Sequence, residues 1–316
     1  MQNKEVYSVK IFFLNPIQIL QVVIDTLINL EYESYSIVDT DRDYLLELLP
    51  KYDKSIIFFT ILNKTEVDLW FKYAESLLKI DSSQVLIGAF AYDSIDNKTA
   101  EKFLENNISI IRFSDVQKNP LQVMRQIMMI FEAKGKRAFI RTKTYGQSDV
   151  YFYIKNRDNP LICRVVDLSA YALSVEIDVQ HKYFFTVGEV FQEAVLILKG
   201  VRIRTSLKVL GFSSANNNLY LLKVCHTEIV NNKVVFTDNI PKEVNRKLHD
   251  YVRKCLKDEM AESLREIQIE KDPVLKKKIE AEKEKALKTQ AKSSPVKTDN
   301  ANADKTDISE EKGEAS

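Results

Sequence analysis

The hydrophobic pattern of this 316-residue chain changes its period once, close to residue 137. Before that point, short apolar runs typical of buried strands alternate with amphipathic stretches of helical period. After it, short β-branched and aromatic runs follow one another with turn signals between them. Hydrophobic residues make up 45% of the chain, which is enough apolar material for a packed core in each part. The pattern therefore predicts two modules of different fold class, α/β followed by β.

The first module, residues 1–133, contains five strand–helix units. The strand candidates are 7–14, 35–38, 55–62, 84–90 and 109–113, and the helix candidates are 16–30, 41–49, 64–80, 98–106 and 120–133. Pro16 and Pro120 suit a first helical turn, where the missing N–H costs little. The run from Ile56 to Phe59 is apolar on both faces, as a central parallel strand must be. These features predict a doubly wound parallel (βα)5 sheet.

This order of elements resembles a response-regulator receiver domain. Phosphoryl transfer to a receiver requires an acidic cluster after the first strand, to hold a divalent cation, and an aspartate nucleophile after the third. Here the first strand ends in Leu14, Asn15 and Pro16, and the third in Ile61, Leu62 and Asn63. The chemistry is therefore missing, and we expect a pseudo-receiver-like domain that serves structure or partner contact.

The second module, residues 144–268, has seven short strand candidates with no helix between them: 150–154, 161–167, 173–177, 194–198, 201–209, 219–224 and 233–236. Five of the seven glycines fall between 135 and 211, where turns are needed. The pattern predicts a small antiparallel β-barrel, followed by a helix over 241–265. Residues 269–316 are charged and low in complexity, which predicts a solvated helix that fades into a disordered tail; a docking role is the alternative.

One constellation of polar residues suggests chemistry. The junction 134–143 contains no acidic residue and five basic ones, namely Lys134, Lys136, Arg137, Arg141 and Lys143. The barrel then supplies a second element, Asp167, Ser169 and Ala172. Either element alone is common in proteins, so the prediction depends on their order, spacing and position in an all-β segment.

Together the two elements resemble the RxxxR and [D/N]xSxxG motifs of PilZ domains, over about residues 137–256. The pairing of a receiver-like front with such a barrel resembles PilZ proteins of spirochaetes. The resemblance implies binding of the bacterial second messenger cyclic di-GMP. Arg137 and Arg141 would clamp its phosphates and guanines, with Lys134, Lys136 and Lys143 as supporting charges.

The resemblance also implies that Asp167 accepts hydrogen bonds from guanine N1–H and N2–H, and that Ser169 contacts the base or the phosphate. The sequence departs from the motif at Ala172, where the family has glycine; a methyl group there can obstruct the ligand or forbid a positive φ. Two other interpretations stay open. The arginines can be ordinary linker charges, and Asp167 and Ser169 can cap a β-turn.

The function expected is that of a non-catalytic cytoplasmic effector. Cyclic di-GMP would order a mobile linker and swing the two modules, which would change the surface seen by a protein partner such as flagellar or envelope machinery. The alternative is a degenerate PilZ scaffold that binds no nucleotide and acts only through protein contacts. Polynucleotide binding through the basic segments is disfavoured, because the net charge is only +1.

Several classes of function are excluded or disfavoured by what the sequence lacks. It contains neither GxGxxG nor GxxxxGK[ST], so the glycine loops that hold dinucleotides and phosphates are missing. Its three cysteines and three histidines are scattered, which gives no metal-ligand spacing. The longest apolar runs are too short to span a bilayer and no secretory signal is visible. We expect no enzyme activity, no cofactor and no metal.

Overall fold

The computed structural model describes residues 8–80, 84–92, 95–155, 157–230, 233–274 and 276–277. Residues 1–268 form one compact unit. It contains a parallel sheet, an antiparallel barrel and most of a long C-terminal helix. No helix in the described ranges is long and apolar enough to cross a membrane.

The first module is a five-stranded parallel sheet in the order β2-β1-β3-β4-β5. Its strands are β1 Val9–Leu14, β2 Ser34–Ile37, β3 Lys54–Ile61, β4 Val85–Ala91 and β5 Ile108–Arg112. Its helices are α1 Gln18–Asn29, α2 Arg42–Leu48, α3 Val67–Leu78, α4 Asn97–Glu105, α5 Phe113–Lys118 and α6 Pro120–Ile130. The predicted doubly wound architecture is confirmed.

Strand β3, at the centre of this sheet, shows why the hydrophobic pattern of the sequence predicts a parallel sheet. Every residue of β3 except Lys54 is buried, because helices cover both faces of the strand. Helix α5 was not predicted. It is a single short helix that ends at Lys118, and the next residue, Asn119, has the extended φ of −152° that suits the residue before a proline.

The carboxyl edge of the sheet carries amides where a receiver has acids. Asn15 follows β1 with a left-handed φ of 46°. Asn63 follows β3, and its side chain accepts a hydrogen bond from the Thr65 backbone N–H at 3.0 Å, which caps the next helical turn. Within the described residues, no three His, Cys, Asp or Glu side chains lie close enough to hold a metal ion.

The second module is an antiparallel barrel of six strands. They follow the order β11-β10-β7-β8-β9-β12, and the pairing of β11 with β12 closes the barrel. The strands of this sheet are β6 Thr142–Lys143, β7 Ser148–Phe152, β8 Leu161–Leu168, β9 Ala172–Glu176, β10 Val190–Leu198, β11 Val201–Phe212, β12 Leu219–Val230 and β13 Lys233–Thr237. The predicted barrel is confirmed. The sequence missed β6, because two residues are too few to show a period.

Helix α7, Lys242–Lys271, packs on both modules. Tyr251 and Ser148 of β7 share a buried hydrogen bond of 2.7 Å between their hydroxyls. Arg253 donates to the Asn29 side chain, at the end of α1, at 2.8 Å. The helix ends six residues later than predicted and runs past the expected boundary at 268. The predicted tail, 269–316, lies outside the described residues except for 269–274 and 276–277.

Candidate ligand site

The short strand β6 lays the end of the basic junction on the barrel. It pairs antiparallel with β8, so that Thr142 is opposite Leu168 and Lys143 is opposite Asp167. Thr142 is buried, while Lys143 is exposed. Arg141 immediately precedes this strand, and the register therefore places the second arginine of the RxxxR element at the start of the turn between β8 and β9.

Arg141 and Asp167 are in direct contact. The distance from Arg141 Nε to Asp167 Oδ1 is 3.2 Å, and the two side chains are 36% and 19% exposed. Asp167 Oδ1 is itself buried. The Arg141 guanidinium therefore offsets the charge of a partly buried carboxylate.

Ser169 is buried and holds the turn from β8 to β9 together. Its hydroxyl accepts the backbone N–H groups of Tyr171 at 3.3 Å and Ala172 at 2.9 Å, and donates to the Ala172 carbonyl at 3.0 Å. The Ser169 backbone N–H donates to the same carbonyl at 2.7 Å. The interpretation of Ser169 as a turn cap therefore describes its contacts in this structure.

Ala172 begins β9 in ordinary extended backbone, with no positive φ. It is half-buried and lies opposite Lys223 of β12. The Lys223 ammonium pairs with Asp238 Oδ2 at 2.6 Å. Lys223 is thus a cation beside the motif that sequence reasoning missed, because its position depends on the pairing of β9 with β12.

The remaining basic residues of the junction lie at the surface. Arg137 is exposed and lines a small cavity that Arg141 also lines. Lys134 places its ammonium 4.8 Å from the centroid of the Tyr32 ring, a cation–π geometry. Lys136 is exposed as well. Because one end of this segment is fixed on the barrel and the other follows α6, the two arginines belong to a bridge between modules.

Two aromatic rings pack across the junction. The centroids of Phe139, between the two arginines, and Tyr171, in the β8–β9 turn, are 4.0 Å apart. The edge of Tyr171 also faces His249 of α7 at 6.4 Å. Both rings therefore pack against neighbouring side chains, although Phe139 remains 41% exposed.

Two carboxylates of the first module also line the cavity beside the arginines, and sequence reasoning missed both. Glu33 is buried and is bonded by Ser8 and Lys10. Glu31 accepts the Ile140 backbone N–H at 2.7 Å. Burial raises the pKa of Glu31 from its ordinary 4.5 to about 7, against smaller opposing effects of that hydrogen bond and of Lys134.

The structure thus brings the predicted residues together in two groups. Arg141 joins Asp167 on the barrel, with Ser169 and Ala172 in the adjoining turn, and Arg137 joins Arg141 at the cavity. Cavities of about 470 Å³ and 710 Å³ lie elsewhere on the barrel and are lined by none of these residues. The cavity that the two arginines line is smaller, about 20 Å³.

Solved structures of PilZ-domain proteins are among those similar to this chain. No family model matches the chain, and no curated protein matches its sequence. Among solved structures, the chain is similar to the PilZ domain of YcgR from Escherichia coli with c-di-GMP, at 13% identity and a TM-score of 0.28, over 38% of this chain and 91% of that one. It is also similar to E. coli YcgR in complex with c-di-GMP, at 15% identity and a TM-score of 0.31, over 42% and 51% of the two chains.

A third similar structure is the Bacillus subtilis inhibitor of motility, MotI/DgrA, at 15% identity and a TM-score of 0.27, over 38% of this chain and 50% of that one. The chain therefore spans about half the length of the two longer proteins. The fold assigned above rests on the strand pairing of the chain itself. The narrower resemblance to spirochaete proteins stays a prediction.

Proposed function

We propose that this chain is a non-catalytic cytoplasmic effector that binds cyclic di-GMP at the junction and relays the signal to a protein partner. The observation that carries the proposal is the contact between Arg141 and Asp167. It joins the two motif elements in space, and it leaves the Asp167 side chain 19% exposed. A guanine edge offers the N1–H and N2–H donors that a carboxylate accepts.

The two arginines have different starting states in this proposal. Arg141 is already held beside Asp167, so it needs little further ordering to stack on a guanine or to bind a phosphate. Arg137 is exposed and four residues upstream, and we propose that it folds over the ligand from the opposite side. Lys134, Lys136 and Lys143 add positive charge around the phosphates.

Ser169 and Ala172 shape the site in this proposal. The Ser169 hydroxyl already has its donor and acceptor capacity used inside the turn, so it contributes by holding Ala172 and the end of β8 in place. The exposed face of Phe139 offers an apolar surface beside the base.

The relay follows from where the junction is attached. The segment contacts both modules, since the Ile140 backbone N–H binds Glu31 of the first and Thr142 and Lys143 pair with β8 of the second. Helix α7 also holds the two modules through Tyr251 and Arg253. We propose that closure of Arg137 over the ligand changes the contacts of this segment and so alters the surface of the first module that a partner meets.

Isothermal titration calorimetry with cyclic di-GMP tests the proposal on the full chain. We expect the wild type to bind, and either Arg137→Ala or Arg141→Ala to cost about 2–3 kcal/mol, the range for hydrogen bonds to charged groups. That loss corresponds to a roughly 30- to 150-fold rise in Kd.

The matched control removes two arginines elsewhere on the barrel. Arg202 and Arg204 are exposed on β11 and line a separate cavity, so Arg202→Ala/Arg204→Ala lowers the net charge equally without touching the junction. We expect this variant to bind like the wild type. A wild type that binds no better than Arg137→Ala/Arg141→Ala contradicts the proposal.

The scaffold remains the second candidate, and one observation favours it. The Ser169 hydroxyl is satisfied within the turn, as it would be in a barrel that only needs a stable β8–β9 connection. In that case the barrel and the first module serve protein contacts alone. The Ala172→Gly variant described below separates the two candidates.

A further inference from the structure

Glu31 of the first module makes a long-range contact with the middle of the RxxxR element. It follows helix α1 with a left-handed φ of 63°. Its Oε2 accepts the Ile140 backbone N–H at 2.7 Å, across 109 positions in sequence. The residue held in this way lies between Arg137 and Arg141, so the contact acts on the backbone that carries both proposed ligand side chains.

The groups near Glu31 belong to helix α7, to the junction 134–143 and to the loop that follows α1. Its Oε1 faces His249 Nε2 of α7 at 3.8 Å and has no hydrogen-bond partner. Lys134 lies on the junction side, above the Tyr32 ring. Only 12% of the Glu31 side chain is exposed. Water has little access to a carboxylate enclosed in this way. Its hydrogen bond with the Ile140 backbone N–H is therefore stronger than it would be in solvent.

The contact completes the anchoring of Arg141. On its C-terminal side, Thr142 and Lys143 pair with β8. On its N-terminal side, the Ile140 side chain is buried and its N–H is bound by Glu31. Arg137, in contrast, is exposed. The backbone beside Arg141 is therefore held on both sides by contacts within the protein.

We propose that Glu31 is a positioning residue of the nucleotide site, which fixes Ile140 so that Arg141 remains beside Asp167. The inference rests on the proposed function and deepens it. Ordering the backbone of a residue costs conformational entropy. When contacts within the protein already order the site, less of the binding free energy is lost to this cost, and the affinity for the ligand is higher. Because Glu31 belongs to the first module, its hydrogen bond with Ile140 also connects that module to the backbone of the proposed nucleotide site.

Three variants of the full chain test this proposal. Glu31→Ala removes the acceptor, and Glu31→Gln keeps an oxygen that can accept the Ile140 N–H. Glu132→Ala is the control, because Glu132 is exposed and has a left-handed φ of 48°, so it carries the same backbone strain without lining the cavity. We expect calorimetry to show about a tenfold rise in the Kd for cyclic di-GMP, about 1.4 kcal/mol, for Glu31→Ala alone.

Hydrogen exchange of the ligand-free protein gives a second measurement that needs no nucleotide. Peptides spanning residues 137–143 should exchange faster in Glu31→Ala and at the wild-type rate in Glu31→Gln and Glu132→Ala. If the wild type binds no cyclic di-GMP, the proposed function fails and the exchange result alone decides whether Glu31 positions the segment. Equal exchange in all four proteins, or equal loss of affinity in both Glu31 variants, overturns the inference.

Discussion

At the scale of single residues, the two halves of the second motif have different roles. Ser169 uses its hydroxyl entirely within the β8–β9 turn. Asp167 lies one strand position before that turn and makes no hydrogen bond through Oδ1; its contact is with Arg141. The turn-cap interpretation and the ligand interpretation therefore apply to different residues of one motif.

Ala172 provides a test at the same scale. Its backbone is extended, so glycine is not needed there for a positive φ, and only the methyl group can affect the ligand. We expect Ala172→Gly to change the Kd for cyclic di-GMP less than about tenfold, because the half-buried methyl lies in the strand beside Lys223. Calorimetry on both proteins measures this change.

If the wild type binds no cyclic di-GMP, the Ala172→Gly variant tests whether the methyl group is the reason. Binding gained by Ala172→Gly would then identify the methyl group as the obstacle. No binding by either protein would favour the scaffold.

At the scale of elements, the parallel sheet depends on one close approach. A Cβ built at Gly88 of β4 would lie 2.6 Å and 2.7 Å from two ring atoms of Phe58. That ring is buried and packs against Phe13, with centroids 5.2 Å apart, so it cannot move away cheaply. The sheet therefore requires glycine at this position for space and not for φ.

We expect Gly88→Ala to lower the free energy of unfolding by about 1–3 kcal/mol, as overpacked cores do. Urea unfolding followed by circular dichroism measures it. Gly211→Ala is the control, since a Cβ there meets no atom within 4 Å and its φ is not left-handed. Equal unfolding midpoints for the two variants would contradict the packing argument.

At the scale of the whole molecule, Glu31 connects α1, the junction and α7 and makes stability depend on pH. Burial raises its pKa to about 7. Between its ordinary value of 4.5 and about 7, the folded chain keeps a proton that the unfolded chain has lost. Stability from this group is therefore complete below the unfolded pKa and is lost as pH rises through the folded pKa.

His249, which faces Glu31, has the opposite effect, because burial lowers the pKa of its ring. Because glutamine does not titrate, the difference between the wild type and Glu31→Gln gives the contribution of Glu31 to the pH dependence. We expect the unfolding free energy of the wild type, minus that of the variant, to fall between about pH 4.5 and about pH 7, the unfolded and folded pKa values of Glu31, and to level off above them. Parallel urea-unfolding curves across that range would rule out a buried, titrating Glu31.

Much of the fold could be predicted from the sequence because each long element has its own hydrophobic periodicity. Strand β3 is apolar throughout since both of its faces are covered, and the barrel strands alternate since only one face is. Where the local pattern is short, prediction failed: β6 has two residues, and α5 is a single short helix.

The sequence by itself determined two modules, their fold classes and the residue types Arg137, Arg141 and Asp167 that suit a nucleotide. Only the tertiary structure decided which of them meet, and that Glu31 and Lys223 stand beside them. The physical reason is that local periodicity encodes which face of an element is buried. The contacts between distant elements depend on strand register and side-chain packing, which no local pattern specifies.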